Sequence, residues 1–283
     1  MGKICKAVVA VSATVLCGCA CLSCYAGSAV SKEDVKTVKR DVAVGYFSKV
    51  SLGGSADVKF VQGSKNSARI VGAKRLVDNL EVNVKGETLV ISMKGDGGGI
   101  FYGNFFQNGV EYGVTVYVSS PDLTDISVRG SGDFCMDSNL DTDALTVSVV
   151  GSGDVEMRKV VCDRASFMQK GSGDVKVQSV DCASAVLDIT GSGDMDMKLL
   201  KANTAEMKLR GSGDLEASLN GVTSTTASVL GSGDIDLHFT NCGNAVCNVR
   251  GSGTISLEGY LKSLKQSVTG SGDIDTDGLR VGR

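Results

Sequence analysis

A single carboxylate returns along this chain at an almost fixed interval, and that regularity raises the first question of chemistry. Asp133, Asp154, Asp174, Asp194, Asp214, Asp234 and Asp273 each close a Gly-Ser-Gly-Asp tetrapeptide. Those tetrapeptides open on Gly130, Gly151, Gly171, Gly191, Gly211, Gly231 and Gly270, and one further copy, at Gly251, ends in Thr254. Gly- and Asp-rich solenoids that hold calcium supply several ligands in each short turn. Here one carboxylate arrives per roughly twenty residues, so neither a metal nor another cofactor is expected. A structural turn accounts for the residue types. Ser and Asp accept hydrogen bonds from turn amides and from the neighbouring repeat, and glycine suits a positive φ or a close backbone approach.

Two further charged series follow the same period. Glu156, Lys176, Asp196, Glu216, Asp236, Ser256 and Asp275 sit two places after each turn, and Arg129, Lys170, Arg210 and Arg250 stand just before alternate turns. Polysaccharide-cleaving chemistry needs carboxylates that converge on one bond, whereas these residues repeat as a solvated face does. His238, the sole histidine, neighbours apolar Leu237 and points outward, as a surface residue rather than a general base. Cys135, Cys162, Cys182, Cys242 and Cys247 lack zinc-type spacing. Cys162, Cys182 and Cys242 share a repeat position that elsewhere holds Ala202 and Val222, a small buried site. Adjacent repeats bring Cys162 and Cys182 within disulfide range, but parallel side chains suit the preferred torsion poorly. The chain is therefore read as non-catalytic, with a carbohydrate-active β-helix enzyme as the alternative.

The elements that carry these residues are strands. Apolar residues alternate on both sides of every turn, as in Ala185-Leu187-Ile189 before one and Met195-Asp196-Met197 after the next. Period two is the strand signal. Twenty residues cannot hold two strands and a crossover helix. A coil that returns above its own start repeats one turn on one residue, which gives an all-β parallel β-helix, or β-solenoid, with rungs of about 4.8 Å.

Residues 1–26 read as an export signal, with Lys3 and Lys6 before an apolar run too short to span a membrane. Leu16-Cys17-Gly18-Cys19 matches a lipoprotein processing box with Cys19 lipidated, while Cys24-Tyr25-Ala26 offers ordinary cleavage. Residues 27–41 read as a short linker, and 42–283 as one solenoid with regular rungs from 123. The net charge of −3 and the lack of a basic cluster exclude nucleic acid. Aromatics are 5% of the chain, without Trp, and an aliphatic solenoid needs none. Periodicity fails most between Gly95 and Gly113, where Phe101, Tyr102, Phe105 and Phe106 lie among glycines. These rings suit either a binding patch for a glycan or protein or a cap over the open core. Charges in Asp273–Arg283 guard the last edge strand, so a monomer is expected.

The order Tyr46-Phe47-Ser48-Lys49-Val50, Gly54 to Phe60, Leu89-Val90-Ile91, Val116 to Leu123 and then the Gly-Ser-Gly-Asp series resembles the auto-transporter adhesin, head GIN domain family. The likeness spans residues 42 to 280. It implies a right-handed β-helix on an exported envelope protein, often a lipoprotein at the outer membrane, and adhesion to an unknown surface ligand. It brings no catalytic motif, and a purely structural envelope role is the other alternative. The chain offers no room for a translocator barrel after Arg283, so self-transport is not expected.

Overall fold

The computed structural model describes residues 36–94, 105–107 and 110–282, with side chains outside the description at 105–107 and 110–112. Alternating residues become strands throughout, and the chain winds as a β-solenoid of about eight turns with parallel bridges about 20 residues apart. Val155, Val175, Met195, Leu215, Ile235 and Ile255 stack in register as one buried column. Beside a column of small residues, Ala165, Ala185 and Ala205, runs a column that mixes sizes: Phe167, Leu187, Met207, Ala227 and Cys247. Packing at the density of an organic crystal requires this trading of volume between neighbouring positions. The mainly aliphatic interior also takes in a few aromatic rings. Phe47, Phe60, Phe134, Phe167 and Phe239 are fully buried, and Phe60 stacks on Phe134 with centroids 6.2 Å apart.

The corners carry the stacking. The first glycine of each tetrapeptide has φ between +122° and +142°, a conformation that side chains with a Cβ resist. Its carbonyl accepts two amides from the next rung: Gly171 O receives Ser192 N–H at 2.9 Å and Gly193 N–H at 3.1 Å. The aspartates form a second ladder. Each Oδ1 accepts the backbone N–H of the aspartate one rung on, at 2.9 Å for Asp133 to Asp154 and for Asp194 to Asp214. The ladder starts at Asp57, in the degenerate copy Gly54-Ser55-Ala56-Asp57, and its last carboxylate, Asp234, receives Thr254 N–H at 2.7 Å. Thr254 offers no carboxylate, so Asp273 N–H turns to Gly253 O at 3.2 Å.

Before the regular rungs the chain runs β1 (Thr37–Val42), β2 (Lys49–Gly54), β3 (Asp57–Gln62), β4 (Ser67–Ala73), α1 (Lys74–Asn79), β5 (Leu80–Lys85), β6 (Thr88–Met93), β7 (Phe105–Gln107), β8 (Val110–Tyr112) and β9 (Val114–Ser120). It then enters β10 (Asp125–Gly130) and β11 (Phe134–Asp141). Gly130 stacks directly on Gly54 although they lie 76 positions apart, because β10 pairs with β2 in parallel. The intervening chain is not a run of looser rungs. It reverses at Gly86 (φ +61°) to pair β5 with β6 antiparallel, and it sets β4 antiparallel to both β1 and β9. The segment expected as a linker therefore ends early: Thr37–Val42 pair with Ala68–Ala73, since the alternation from Val38 to Val42 gives β4 a partner strand. Helix α1 joins β4 to β5 across this end and buries Leu76 and Val77. At the opposite end Asp273–Val281 cover Thr254–Leu261, whereas no described strand covers Ser263–Gly270.

Two substitutions separate space from conformation at these glycines. A Cβ on Gly213 would lie 2.2 Å from Gly193 O, so Gly213→Ala should cost on the order of 3 kcal/mol or more in thermal unfolding. Gly221 (φ +71°) has nothing within 4 Å, so Gly221→Ala should cost only about 1–2 kcal/mol. Equal losses would refute the role given to the stacked corner. In the aspartate ladder, burial and then the charge of Asp154 raise the pKa of Asp133, against the bond from Asp154 N–H. The folded state thus holds that proton more tightly than the unfolded chain, and stability falls as pH rises through the carboxylate range. Asp133→Asn should keep the acceptor and remove that dependence, while Asp133→Ala should cost about 1 kcal/mol, both read by unfolding across pH.

Candidate functional site

The N-terminal strands place one row of outward side chains side by side. Asp41 on β1, Arg69 on β4, Tyr117 on β9, Lys59 on β3 and Cys135 on β11 are in register across five strands. Strand alternation decides which side each presents: Val116 and Val118 are buried, and Tyr117 between them is 46% exposed. Neighbouring strands are about 4.8 Å apart, so Tyr117 stands in register between two cationic residues, Arg69 and Lys59. Arg69 Nε donates to Asp41 Oδ1 at 2.5 Å, which fixes its direction. Lys39 and Lys59 have no hydrogen bond or ion pair among the described residues. Val61, 52% exposed, and Val71 add aliphatic surface.

This row lines a groove of about 680 Å³, within the usual size of ligand sites. The groove exists because the sheet splits. β11 is paired with β3 only at Phe134 and Cys135, then continues along the next rung with a bulge between Met136 and Asn139. Gln62 replaces the missing ladder with its own amide. Its Nε2 donates to Pro121 O at 2.9 Å and to Asp141 O at 2.8 Å, and its Oε1 accepts Asp141 N–H at 2.9 Å. Asp137 forms part of the wall and accepts a hydrogen bond from the buried Cys135 thiol at 3.7 Å. The combination offers a ring face for stacking and cations for an anionic group, with one of them already oriented.

The residues singled out from the sequence lie elsewhere. Cys19, Phe101 and Tyr102 fall outside the described residues, as do the side chains of Phe105 and Phe106, whose backbone forms β7 against β8. The turn glycines and aspartates line one corner of the shaft, and none of them lines the groove. The acidic stripe is partly neutralised in place, with Lys198 Nζ 2.9 Å from Asp196 and 3.6 Å from Glu216. His238 Nδ1 lies 3.7 Å from Glu258. Among the described residues no group of three or more acidic, histidine or cysteine side chains is placed to hold a metal, and none of the five described cysteines is in a disulfide. Cys162 lies in register with Cys182, and hydrogen bonding between the two free thiols lowers the pKa of the first and raises that of the second. Burial pushes the Cys247 thiol up to about 12.

Sequence reasoning missed Tyr117, Arg69 and Lys59. The available signal was a large aromatic at an outward strand position, at odds with the polar residues that usually stand there.

Stacked corners, parallel arms and an outward groove beside the closed end define a β-solenoid. The chain belongs to the family described as "putative auto-transporter adhesin, head GIN domain", whose model matches residues 46–238 and 219–283. Membership places it among exported surface or envelope proteins. A crystal structure described as a "putative adhesin" from Bacteroides fragilis is 25% identical with a TM-score of 0.68, covering 87% of this chain and 98% of that one. Two from Parabacteroides distasonis share the fold. One, described as a "putative lipid binding protein", is 23% identical with a TM-score of 0.72, covering 84% and 96% of the two chains. The other, a "putative adhesin", is 20% identical with a TM-score of 0.73, covering 86% and 98%. No curated protein matches the chain. No described helix is long and apolar enough to cross a membrane, which leaves β-barrels untouched.

The amide bridge at the groove can be tested by itself. Gln62→Ala should lower stability by about 1–2 kcal/mol and raise amide exchange at Asp141, with exchange along the regular rungs unchanged. Unaltered exchange at Asp141 would show that Gln62 does not hold the split together.

Proposed function

We propose that the protein is a non-catalytic envelope adhesin that takes a surface glycan into the groove over Tyr117. The observation that carries this reading is an exposed aromatic ring held in register between Arg69 and Lys59 on a rigid sheet. A sugar face stacks on such a ring at low cost in side-chain entropy, and flanking cations orient hydroxyl or acidic groups. Membership of an adhesin-type family supports the assignment. The role divides the chain into an export signal within residues 1–26, of lipoprotein type with the lipid on Cys19, and a solenoid that with β1 displays the groove. The aromatic segment with Phe101, Tyr102, Phe105 and Phe106 precedes β9, the strand that bears Tyr117, and supplies further contact surface.

A glycan array with the mature chain and its Tyr117→Ala variant tests this function. The wild type should retain defined glycans, and the variant should lose about 2 kcal/mol of binding, some thirtyfold, at an unchanged unfolding midpoint. Retention of every glycan by the variant, or a blank array for the wild type alongside binding to a protein or lipid surface, would overturn the reading.

A further inference from the structure

The cations that precede the turns form a second surface, distinct from the groove. In the column just before the corners, the register runs Arg129, Val150, Lys170, Thr190, Arg210, Leu230, Arg250, Thr269. A positive charge therefore occupies every second rung, and an uncharged residue occupies each rung between. With rungs about 4.8 Å apart, the charges repeat at roughly 9.6 Å. Val150 and Leu230 are 43% and 55% exposed in the intervals. Arg210 pairs with Asp188 at 2.6 Å, whereas Arg129, Lys170 and Arg250 make no ion pair among the described residues.

A line of hydroxyls accompanies the charges. The tetrapeptide serines Ser131, Ser152, Ser172, Ser192, Ser212 and Ser232 are all exposed, one per rung, two residues beyond the cation column. Near the C-terminal end the same face hollows into a trough of about 430 Å³ lined by Ser228, Leu230, Asn248, Arg250, Ser267 and Thr269, with no carboxylate in its wall. Cations at intervals of two rungs, aliphatic patches between them and a row of hydroxyls match the chemistry of a long acidic sugar chain. The match in spacing is the discriminating feature, because two rungs have the length of one extended disaccharide.

We propose that this stripe binds an acidic polysaccharide laid along the solenoid axis, one anionic group to every second sugar. Each charged sugar meets one cation, and the neutral sugar between them lies over Val150, Thr190 or Leu230. The rigid corner ladder fixes the spacing in advance, so successive contacts add by effective concentration rather than by fresh ordering. A polymer charged on every sugar would set alternate anions over Val150, Thr190 and Leu230, where no cation of the column meets them, and is disfavoured.

The test uses the mature chain and oligosaccharides of alternating glucuronate and N-acetylglucosamine, graded by length, with oligogalacturonates as the uniformly charged comparison. Affinity for the alternating series should climb with length until the run from Arg129 to Arg250 is spanned, and fall with salt. The combined variant R129Q/K170Q/R250Q should lose on the order of tenfold to a hundredfold in affinity with its unfolding midpoint unchanged. K59Q removes a cation only from the N-terminal groove and should leave the length dependence of the alternating series unchanged, which keeps failure of the stripe separate from failure of the groove. No binding by the wild type, full binding by the combined variant, flat length dependence, or equal affinity for oligogalacturonate would each overturn the proposal.

Discussion

Everything in this molecule rests on how closely one corner approaches the next. A glycine carbonyl takes two amides from the rung above, and the second glycine lies so near the rung below that a single methyl group would collide with its backbone. That contact holds the two corner positions to glycine wherever a rung lies below, and leaves the rest of the rung free. Once the corners are locked, inward positions fall into columns, and each column needs only the right volume. Hence Phe167 and Ala227 can occupy the same column three rungs apart.

The aspartate ladder shows how a repeat manages its own electrostatics. Seven Oδ1···H–N bonds run from Asp57 to Thr254, so each carboxylate stacks on the next yet faces a donor. Charge-assisted bonds to backbone amides offset the cost of aligned like charges. Where the repeat substitutes Thr254, the following amide finds a carbonyl instead, and the rung still stacks. The acid is thus a reinforcement of the corner rather than its cause.

The fold was legible from the sequence because its two signals are local. Alternation shows strands, and a constant interval shows that they superimpose. Asp57 was legible too, since Gly54-Ser55-Ala56-Asp57 preserves the turn despite the long insert that follows. The insert itself was not. Antiparallel pairing of β1, β4 and β9 depends on reversals whose partners no periodicity marks, and α1 is six residues long with no side-chain cap to announce it. The groove was hidden for the same reason: Arg69, Tyr117 and Lys59 are neighbours only because strands distant in sequence meet in one register. The two-rung cation spacing was readable, but which cations lack an acidic partner depends on side chains such as Asp188 and its reach to Arg210.

The placement of the groove also decides how the molecule bears force. A pull along the strand axes between the first described strand and an object seated on Tyr117 would pass from β1 through β4 to β9, two antiparallel pairings then loaded along their length. Their hydrogen bonds must all be sheared together, which resists extension far better than peeling them one by one. The regular rungs beyond lie outside that path, so the shaft carries no tension and its length is free to change without weakening the grip.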